Sequence, residues 1–211
     1  MAKKILDKET GLEFDSTHEL YMYWYLKELQ DKGYIERFSR SLPFILGEEV
    51  TLSYCDMTTG KHKDKNLNLL KRIKYTPDYV ITWNDIAEDI FINTFDIAGN
   101  KIVIQKNIPF TVIVKDLHHS IVEKVSFLDV KNPSNHYGAG TLFSIKQKWV
   151  WQLCKMYVEK IEFKPLFVQT FTPQRYLFSD ADPKKKRGAI RWTTRTLDEY
   201  VAIRQKLITE V

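Results

Sequence analysis

Three charged residues stand where apolar segments of the sequence begin or end, and their types suggest metal-assisted chemistry. Asp78 follows Pro77 at the start of a β-rich run, while Asp129 and Lys131 close a strongly apolar run. Because side chains alternate along a strand, Asp129 and Lys131 share one face. Two carboxylates can hold Mg²⁺ or Mn²⁺, and a nearby lysine can position water and offset the charge that develops on a phosphate. The set therefore predicts hydrolysis of a phosphodiester bond.

Each of these residues also has a structural explanation. An aspartate after Thr76 and Pro77 is typical of a carboxylate that caps a turn. Asp129 and Lys131 are typical of a strand end that faces solvent. Their occurrence together, in this order along the chain, favours the catalytic interpretation.

The segment YTPDYVI followed by FLDVKNP resembles the motifs of the PD-(D/E)XK nuclease superfamily, with Asp129 at the variable acidic position. The resemblance implies a restriction-endonuclease-like fold and a DNA endonuclease that uses Mg²⁺ or Mn²⁺. It makes Asp78, Asp129 and the Val130 carbonyl the metal ligands and places Lys131 near the attacking water. The similarity covers residues 10–170 and includes phage endonucleases, Holliday-junction resolvases and the endonuclease subunit of some transposases.

The distance from Asp78 to Asp129 departs from the compact members of that family. It amounts to 51 positions, where a hairpin would suffice. We expect an inserted β-hairpin region within 84–120 to absorb the difference. The turn Ala98-Gly99-Asn100 would connect its strands.

The segment GLEFDSTHELYMYWYLKELQDKGYI is similar to the opening of the phage endonucleases, in which an acidic residue on the first helix precedes the PD strand. Glu19 matches that residue, and its spacing to Met22, Leu26 and Leu29 places it on the apolar stripe of a helix over 16–31. The resemblance implies that Glu19 binds a second metal ion or a water on the metal. The alternative is structural, because Ser16 and Glu19 have the spacing of a capping box.

Candidate contacts to DNA lie in the second half of the chain. In the related nucleases a helix with basic residues follows the lysine, and GTLFSIKQKWVW resembles it, with Lys146 and Gln147 facing the cleft. Both could equally be surface residues at a helix start. Residues 1–163 carry 22 basic and 22 acidic side chains, whereas residues 164–211 carry 10 and 5. Since phosphate neutralisation dominates affinity for nucleic acid, we interpret the C-terminal cluster as a DNA-backbone contact, comprising Lys184, Lys185, Lys186, Arg187, Arg191 and Arg195.

The elements around these residues predict an α/β fold, a mixed sheet flanked by helices. Alternating and apolar runs predict strands at 36–56 (two strands), 67–83, 90–97, 101–105, 110–114, 121–130, 164–171 and 175–178. A second helix is expected from Thr141 to Ile161 and, being apolar around most of its circumference, should be buried against the sheet. A last helix opens with a capping box at Thr196 and Glu199.

Composition limits the remaining possibilities. Two cysteines are too few for a disulfide framework or a four-cysteine zinc site, and no apolar run reaches membrane-spanning length. We expect a cytoplasmic protein, in the host cell if it is phage-encoded. We divide the chain into a nuclease domain, 1–171, and a basic C-terminal extension, 172–211, that carries the terminal helix.

Other functions remain open on the sequence alone. Within enzymes, the rivals are an exonuclease and a transposition-type nickase. From another class, the rival is a catalytically silent DNA-binding or virion-assembly module with the same fold. Cleavage of both strands would favour a homodimer, and a phage or transposition protein is the alternative partner.

Overall fold

A computed structural model describes residues 4–40, 43–56, 63–97, 106–114, 123–131 and 139–209. The strands, in chain order, are β1 (Ile5–Leu6), β2 (Glu13–Phe14), β3 (Ile35–Arg40), β4 (Phe44–Gly47), β5 (Val50–Asp56), β6 (Lys63–Leu70), β7 (Ile73–Tyr75), β8 (Tyr79–Trp83), β9 (Ile92–Asp96), β10 (Phe110–Val114), β11 (Lys124–Val130) and β12 (Val158–Ile161). The helices are α1 (Thr17–Asp31), α2 (Ala139–Cys154), α3 (Phe163–Gln169) and α4 (Leu197–Thr209).

A four-stranded mixed sheet lies at the centre, in the order β12, β11, β8, β3. Strand β11 is parallel to β12 and antiparallel to β8, and β8 is antiparallel to β3. Helix α1 packs on one face with the larger apolar cluster, and a smaller cluster on the other face joins α2 to β4 and β7. The predicted mixed α/β class and the helix-flanked sheet are confirmed.

Alternation along β11 assigns its side chains to the two layers. Leu128 and Val130 belong to the cluster beneath α1. Phe127 contacts Phe44 on the opposite face, with ring centroids 5.3 Å apart. By the same alternation, Asp129 and Lys131 extend on the face where α2 lies.

Helix α1 begins as the sequence predicts. The Ser16 side chain accepts a 3.1 Å hydrogen bond from the Glu19 backbone N–H, which satisfies one of the unpaired donors of the first turn. Its buried residues include Tyr25, which stacks between Phe167 and Phe171. The helix is therefore fixed to the sheet and to the chain segment that follows β12.

The prediction for the second helix was wrong at its C-terminal end. Helix α2 ends at Cys154, and 158–161 form the edge strand β12. Lys155 has a φ of 55°, in the left-handed region that glycine usually occupies at helix ends. The sequence carries no glycine there, so the stop signal is hidden.

The burial predicted for α2 was also only partly correct. Phe143 and Val150 are buried in the cluster with β4 and β7. A parallel row of apolar side chains on the same helix is exposed, and it comprises Leu142, Ile145, Trp149 and Leu153.

Several predicted strands divide or pair differently. The region 36–56 contains β3, β4 and β5, which pair with β8, β7 and β6 respectively, and not with one another. The run 67–83, predicted as one strand, divides into three parts. These are the C-terminal half of β6, then β7, then β8. Strands β9 and β10 pair in parallel. The predicted turn 98–100 and strand 101–105 lie outside the described residues.

The C-terminal segment folds against the body of the protein. The predicted strands at 164–171 and 175–178 were wrong, because Phe163–Gln169 is helix α3 and Gln174–Leu177 is a 3₁₀ turn. Pro165 in the first turn of α3 is compatible with a helix because no intrahelical donor is lost there. Leu197, Tyr200 and Val201 of α4 join the cluster beneath α1.

The capping box of α4 is confirmed. The Thr196 and Glu199 side chains each accept a hydrogen bond from the other's backbone N–H, at 3.3 and 2.8 Å. Among the helices of the described residues, none has the length and apolar character needed to cross a membrane.

Candidate active site

The structure brings Asp78 next to the strand that carries Asp129. The last cross-strand pair of β8 and β11 is Tyr79 with Leu128, so Asp78 and Asp129 are the next residue on each strand. The Asp78 backbone N–H donates to the Leu128 carbonyl at 2.8 Å, and the Asp78 carboxylate accepts a 2.6 Å hydrogen bond from the Val130 N–H. Two aspartates that are 51 positions apart in the sequence therefore lie side by side at the same end of the two central strands of the sheet.

Lys131 completes this group. Its Nζ lies 2.7 Å from Asp129 Oδ2 and 5.8 Å from the centroid of the Phe143 ring. Asp129 is only 3% exposed. A buried carboxylate is expensive unless it is paired, and the Lys131 ammonium supplies that pairing.

The electrostatics connect the acidic residues. Burial raises the pKa of Asp78 above its usual range, and the negative charges of Asp129 and Glu19 raise it further. The hydrogen bond from Val130 and the positive charge of Lys131 act in the opposite direction. A concentration of negative charge that raises a carboxyl pKa is the environment in which a bound cation is stabilising.

Glu19 lies at the start of α1. Its negative charge raises the pKa of Asp78, but its side chain is engaged in the helix cap. Its Oε1 accepts a 3.0 Å hydrogen bond from the Ser16 hydroxyl, and its Oε2 lies 3.4 Å from the Asp15 N–H. The Tyr79 hydroxyl donates to the Glu19 carbonyl at 2.8 Å, which ties α1 to β8 beside Asp78. The capping interpretation of Glu19 is therefore confirmed, and a role toward a metal stays a prediction.

Sequence reasoning missed Tyr75, which lies between the aspartates and α2. It is buried, and burial together with the negative charge of Asp129 raises the pKa of its hydroxyl. The Lys146 Nζ lies 5.6 Å from the centroid of its ring. Tyr75 precedes the Thr-Pro-Asp motif by one residue, and that proximity was the only available signal.

The two polar residues proposed on α2 have different environments. Lys146 faces the site through Tyr75. Gln147 donates from Nε2 to the Val158 carbonyl at 2.6 Å, so its amide binds the edge strand β12. Of these two residues, Lys146 directs its side chain toward the candidate site and Gln147 does not.

The basic C-terminal residues also divide into two groups. Arg187 lies 4.0 Å over the Tyr176 ring, pairs with Asp180 and donates to the Tyr21 hydroxyl at 3.3 Å. Arg195 donates to the Thr170 carbonyl at 3.2 Å. The exposed members are Lys184, Lys185, Lys186 and Arg191. Arg187 and Arg195 thus hold the fold together, whereas the exposed residues present charge to solvent.

The groups at these strand ends have the chemistry of ligands for a divalent cation. Within the described ranges, no three histidine, cysteine or acidic side chains stand together as a preformed metal cage. Asp78 and Asp129 supply carboxylate oxygens beside the Val130 backbone, and hard divalent cations prefer such oxygen ligands. The chemistry of these oxygen donors, with the Lys131 ammonium beside them, fits Mg²⁺ or Mn²⁺.

Comparison with family models, with curated proteins and with solved structures returns no match to this chain.

Proposed function

We propose that the protein is a metal-dependent endodeoxyribonuclease with a restriction-endonuclease-like fold, as in the PD-(D/E)XK superfamily. The observation that carries the proposal is that Asp78, Asp129 and Lys131 lie together at the ends of the two central strands of the sheet. The order and types of these residues match the motif. A shared metal site also requires that they lie close together, and they do.

Asp78 and Asp129 would hold the cation, with the Val130 carbonyl as a further ligand. A bound Mg²⁺ or Mn²⁺ would act as a Lewis acid on the scissile phosphate. Asp129 also orients the Lys131 ammonium through their 2.7 Å contact. Lys131 would position the attacking water and offset the negative charge that develops on the phosphate.

The surroundings of the site supply positive charge for the phosphates of a nucleic-acid substrate. Lys146 adds a cationic group beside Tyr75. The exposed Lys184–Lys186 turn is held by Arg187 against Tyr21, two residues after Glu19 on α1. Phosphate contacts at this exposed basic turn would supply sequence-independent affinity.

Cleavage of supercoiled plasmid with Mg²⁺ or Mn²⁺ tests the proposal. An endonuclease that cuts both strands converts the closed circle to linear DNA by way of the open circle, and chelation with EDTA should stop the reaction. An exonuclease would degrade only linear DNA, and a nickase would stop at the open circle. Linear, single-stranded and branched DNA are included to find the preferred substrate.

A catalytically silent DNA-binding or virion-assembly module remains the alternative from another class. Calorimetric titration with Mn²⁺ separates the two. The proposed nuclease binds Mn²⁺ and loses that binding in Asp78→Asn, whereas a silent module shows no heat that depends on Asp78. Absence of both cleavage and Asp78-dependent binding would refute the enzymatic proposal.

A further inference from the structure

Helix α2 has an apolar arc that is wider than the surface it packs on. At 100° per residue, Leu142, Ile145, Trp149 and Leu153 form one row along the helix. These four side chains are between 38% and 59% exposed. The neighbouring row, which includes Phe143 and Val150, is buried against β4 and β7. Half of the apolar arc therefore faces solvent.

Strands β5 and β6 form an antiparallel ribbon with one polar face and one mostly apolar face. Thr51 lies opposite Asn68 and Ser53 opposite Asn66 on the polar face. On the other face Leu52 lies opposite Leu67 and Tyr54 opposite Lys65. The exposed apolar side chains of the ribbon are Val50, Leu52, Tyr54, Leu67, Leu69 and Leu70, and each is between 43% and 61% exposed.

An isolated two-stranded ribbon is marginally stable in water unless a further layer covers its apolar face. In the described part of the chain, the side chains of 50–55 and 64–70 are all exposed, so this ribbon lacks such a layer. Monomeric proteins rarely leave contiguous apolar patches larger than a few hundred Å² in contact with water. Both surfaces therefore require an occupant.

We propose that the occupant is a second copy of this chain, with the ribbon of each protomer packed on the exposed row of α2 of its partner. A sheet face and a helix stripe cover one another in most protein layers, and one chain supplies both. A two-fold axis would bury each surface twice. Ten side chains at about half exposure offer on the order of 1,000 Å² per protomer, against the roughly 800 Å² that each partner of a stable complex buries.

This interface would adjoin the candidate site. Phe143, which packs beside Lys131, and Lys146, which lies over Tyr75, are both on α2. A partner ribbon on α2 would fix the orientation of that helix beside the site. The inference rests on exposure and amphipathic pattern, and it is independent of the proposed nuclease activity.

Sedimentation velocity over a range of protein concentrations tests the proposal. The wild-type chain should sediment as a dimer at micromolar concentration. Leu52→Glu on the ribbon and Leu153→Lys on α2 should each weaken the dimer about 100-fold or more, because each places a charge in an apolar interface. The matched controls are Thr51→Glu, on the polar face of the ribbon, and Gln152→Lys, beside the exposed row, and both should remain dimeric.

A charge-swap experiment tests which surfaces meet. If the ribbon covers α2 of the partner, the chain with both Leu52→Glu and Leu153→Lys should dimerise more tightly than the two single variants predict, because the introduced charges attract. Circular dichroism and thermal unfolding of each variant establish that it is folded.

Two results would overturn the proposal. One is a wild-type chain that remains monomeric at about 100 μM, which would assign the surfaces to a different partner. The other is a dimer that neither Leu52→Glu nor Leu153→Lys weakens, which would place the interface elsewhere. Neither result bears on DNA cleavage, so a failure here is distinct from a failure of the proposed function.

Discussion

The Asp78 carboxylate accepts a hydrogen bond from the backbone N–H of Val130, the residue between Asp129 and Lys131. A side chain that follows a proline is thereby tied to the neighbouring strand, at the point where that strand carries the other two charged groups. The 2.6 Å contact fixes Asp78 relative to Asp129 directly across the two neighbouring strands.

Asp129→Asn should abolish DNA cleavage while leaving the protein folded. The amide is nearly isosteric, but it lacks the negative charge that would hold a divalent cation. We expect the cleavage rate to fall by about 100-fold or more, as for other losses of transition-state stabilisation. The rate is measured by plasmid relaxation under single-turnover conditions.

Asp31→Asn serves as the control for this substitution. Asp31 lies on the outer surface of α1, where it pairs with Lys27 at 2.7 Å. Loss of an exposed pair of this kind changes stability by less than about 1 kcal/mol and should leave cleavage unchanged. Equal effects of the two substitutions would contradict the assignment of Asp129.

Lys131→Ala should reduce cleavage far more than it reduces DNA binding. Loss of the Lys131 ammonium removes charge stabilisation at the phosphate, and it also leaves the buried Asp129 carboxylate unpaired, so thermal unfolding must establish that the variant is folded. Lys160→Ala is a matched control, because Lys160 lies opposite Asp129 on the neighbouring strand but pairs with Glu162. Cleavage rates and DNA affinities of the two variants are compared; similar losses of rate would argue against a special role for Lys131.

Glu159→Gln should stabilise the protein at alkaline pH. Burial raises the pKa of Glu159 to about 7, against an ordinary value of 4.5, and a hydrogen bond from the Thr111 N–H opposes the rise. Between these pH values the unfolded chain has released the proton and the native protein has not. The contribution of Glu159 to the free energy of unfolding therefore falls as the pH rises from 4.5 to 7 and stays low above it.

Urea unfolding of the wild type and of Glu159→Gln at several pH values measures this effect. At pH 8 the variant should be more stable by up to about 3 kcal/mol, since one pKa unit corresponds to 1.36 kcal/mol. The advantage should disappear near pH 4, where the wild-type carboxyl is protonated in both states. A difference that does not vary with pH would show that Glu159 ionises normally in the native protein.

Arg187→Ala should lower the free energy of unfolding by about 2 kcal/mol, because it removes two cation–π contacts and an ion pair together. The guanidinium contacts Tyr176, Tyr21 and Asp180. Lys185→Ala, two positions away and exposed, should change stability by less than about 0.5 kcal/mol. Chemical unfolding of both variants checks this contrast, and an equally large effect at Lys185 would refute it.

Replacing Lys184, Lys185 and Lys186 with alanine should weaken DNA binding without destabilising the fold. If each lysine neutralises one phosphate, the slope of log K against log salt concentration should decrease by about 3. Fluorescence anisotropy at several salt concentrations measures the slope. Lys27→Ala, on the outer surface of α1, is the control, and an unchanged slope in the triple variant would place the DNA elsewhere.

Local patterns in the sequence were sufficient for several elements of the site. Period-2 alternation and Pro77 placed Asp78, Asp129 and Lys131 at strand ends, and the spacing of Ser16 and Glu19 located the start of α1. These features depend on residues only a few positions apart, so the local sequence is enough to predict them. The motif resemblance supplied the expectation that the aspartates converge.

Other predictions failed because the deciding interactions are distant or conformational. Lys155 adopts a left-handed conformation and ends α2, although its side chain gives no sign of it. The apolar and aromatic residues of 163–169 are typical of a strand. The segment nevertheless forms α3, in which Phe167 packs on Tyr25 in the core. Propensity is weaker than such burial, and tertiary contacts therefore override it.

The sequence by itself determined which residues could hold a metal, where the strands that carry them end, and that basic charge accumulates toward the C-terminus. Only the tertiary structure decided which aspartates are neighbours, that Arg187 is held within the fold, and which half of the apolar arc of α2 is covered. The physical reason is that alternation and capping act over a few residues. Pairing of β8 with β11, and burial of one helix row in preference to the next, depend on segments far apart in the chain.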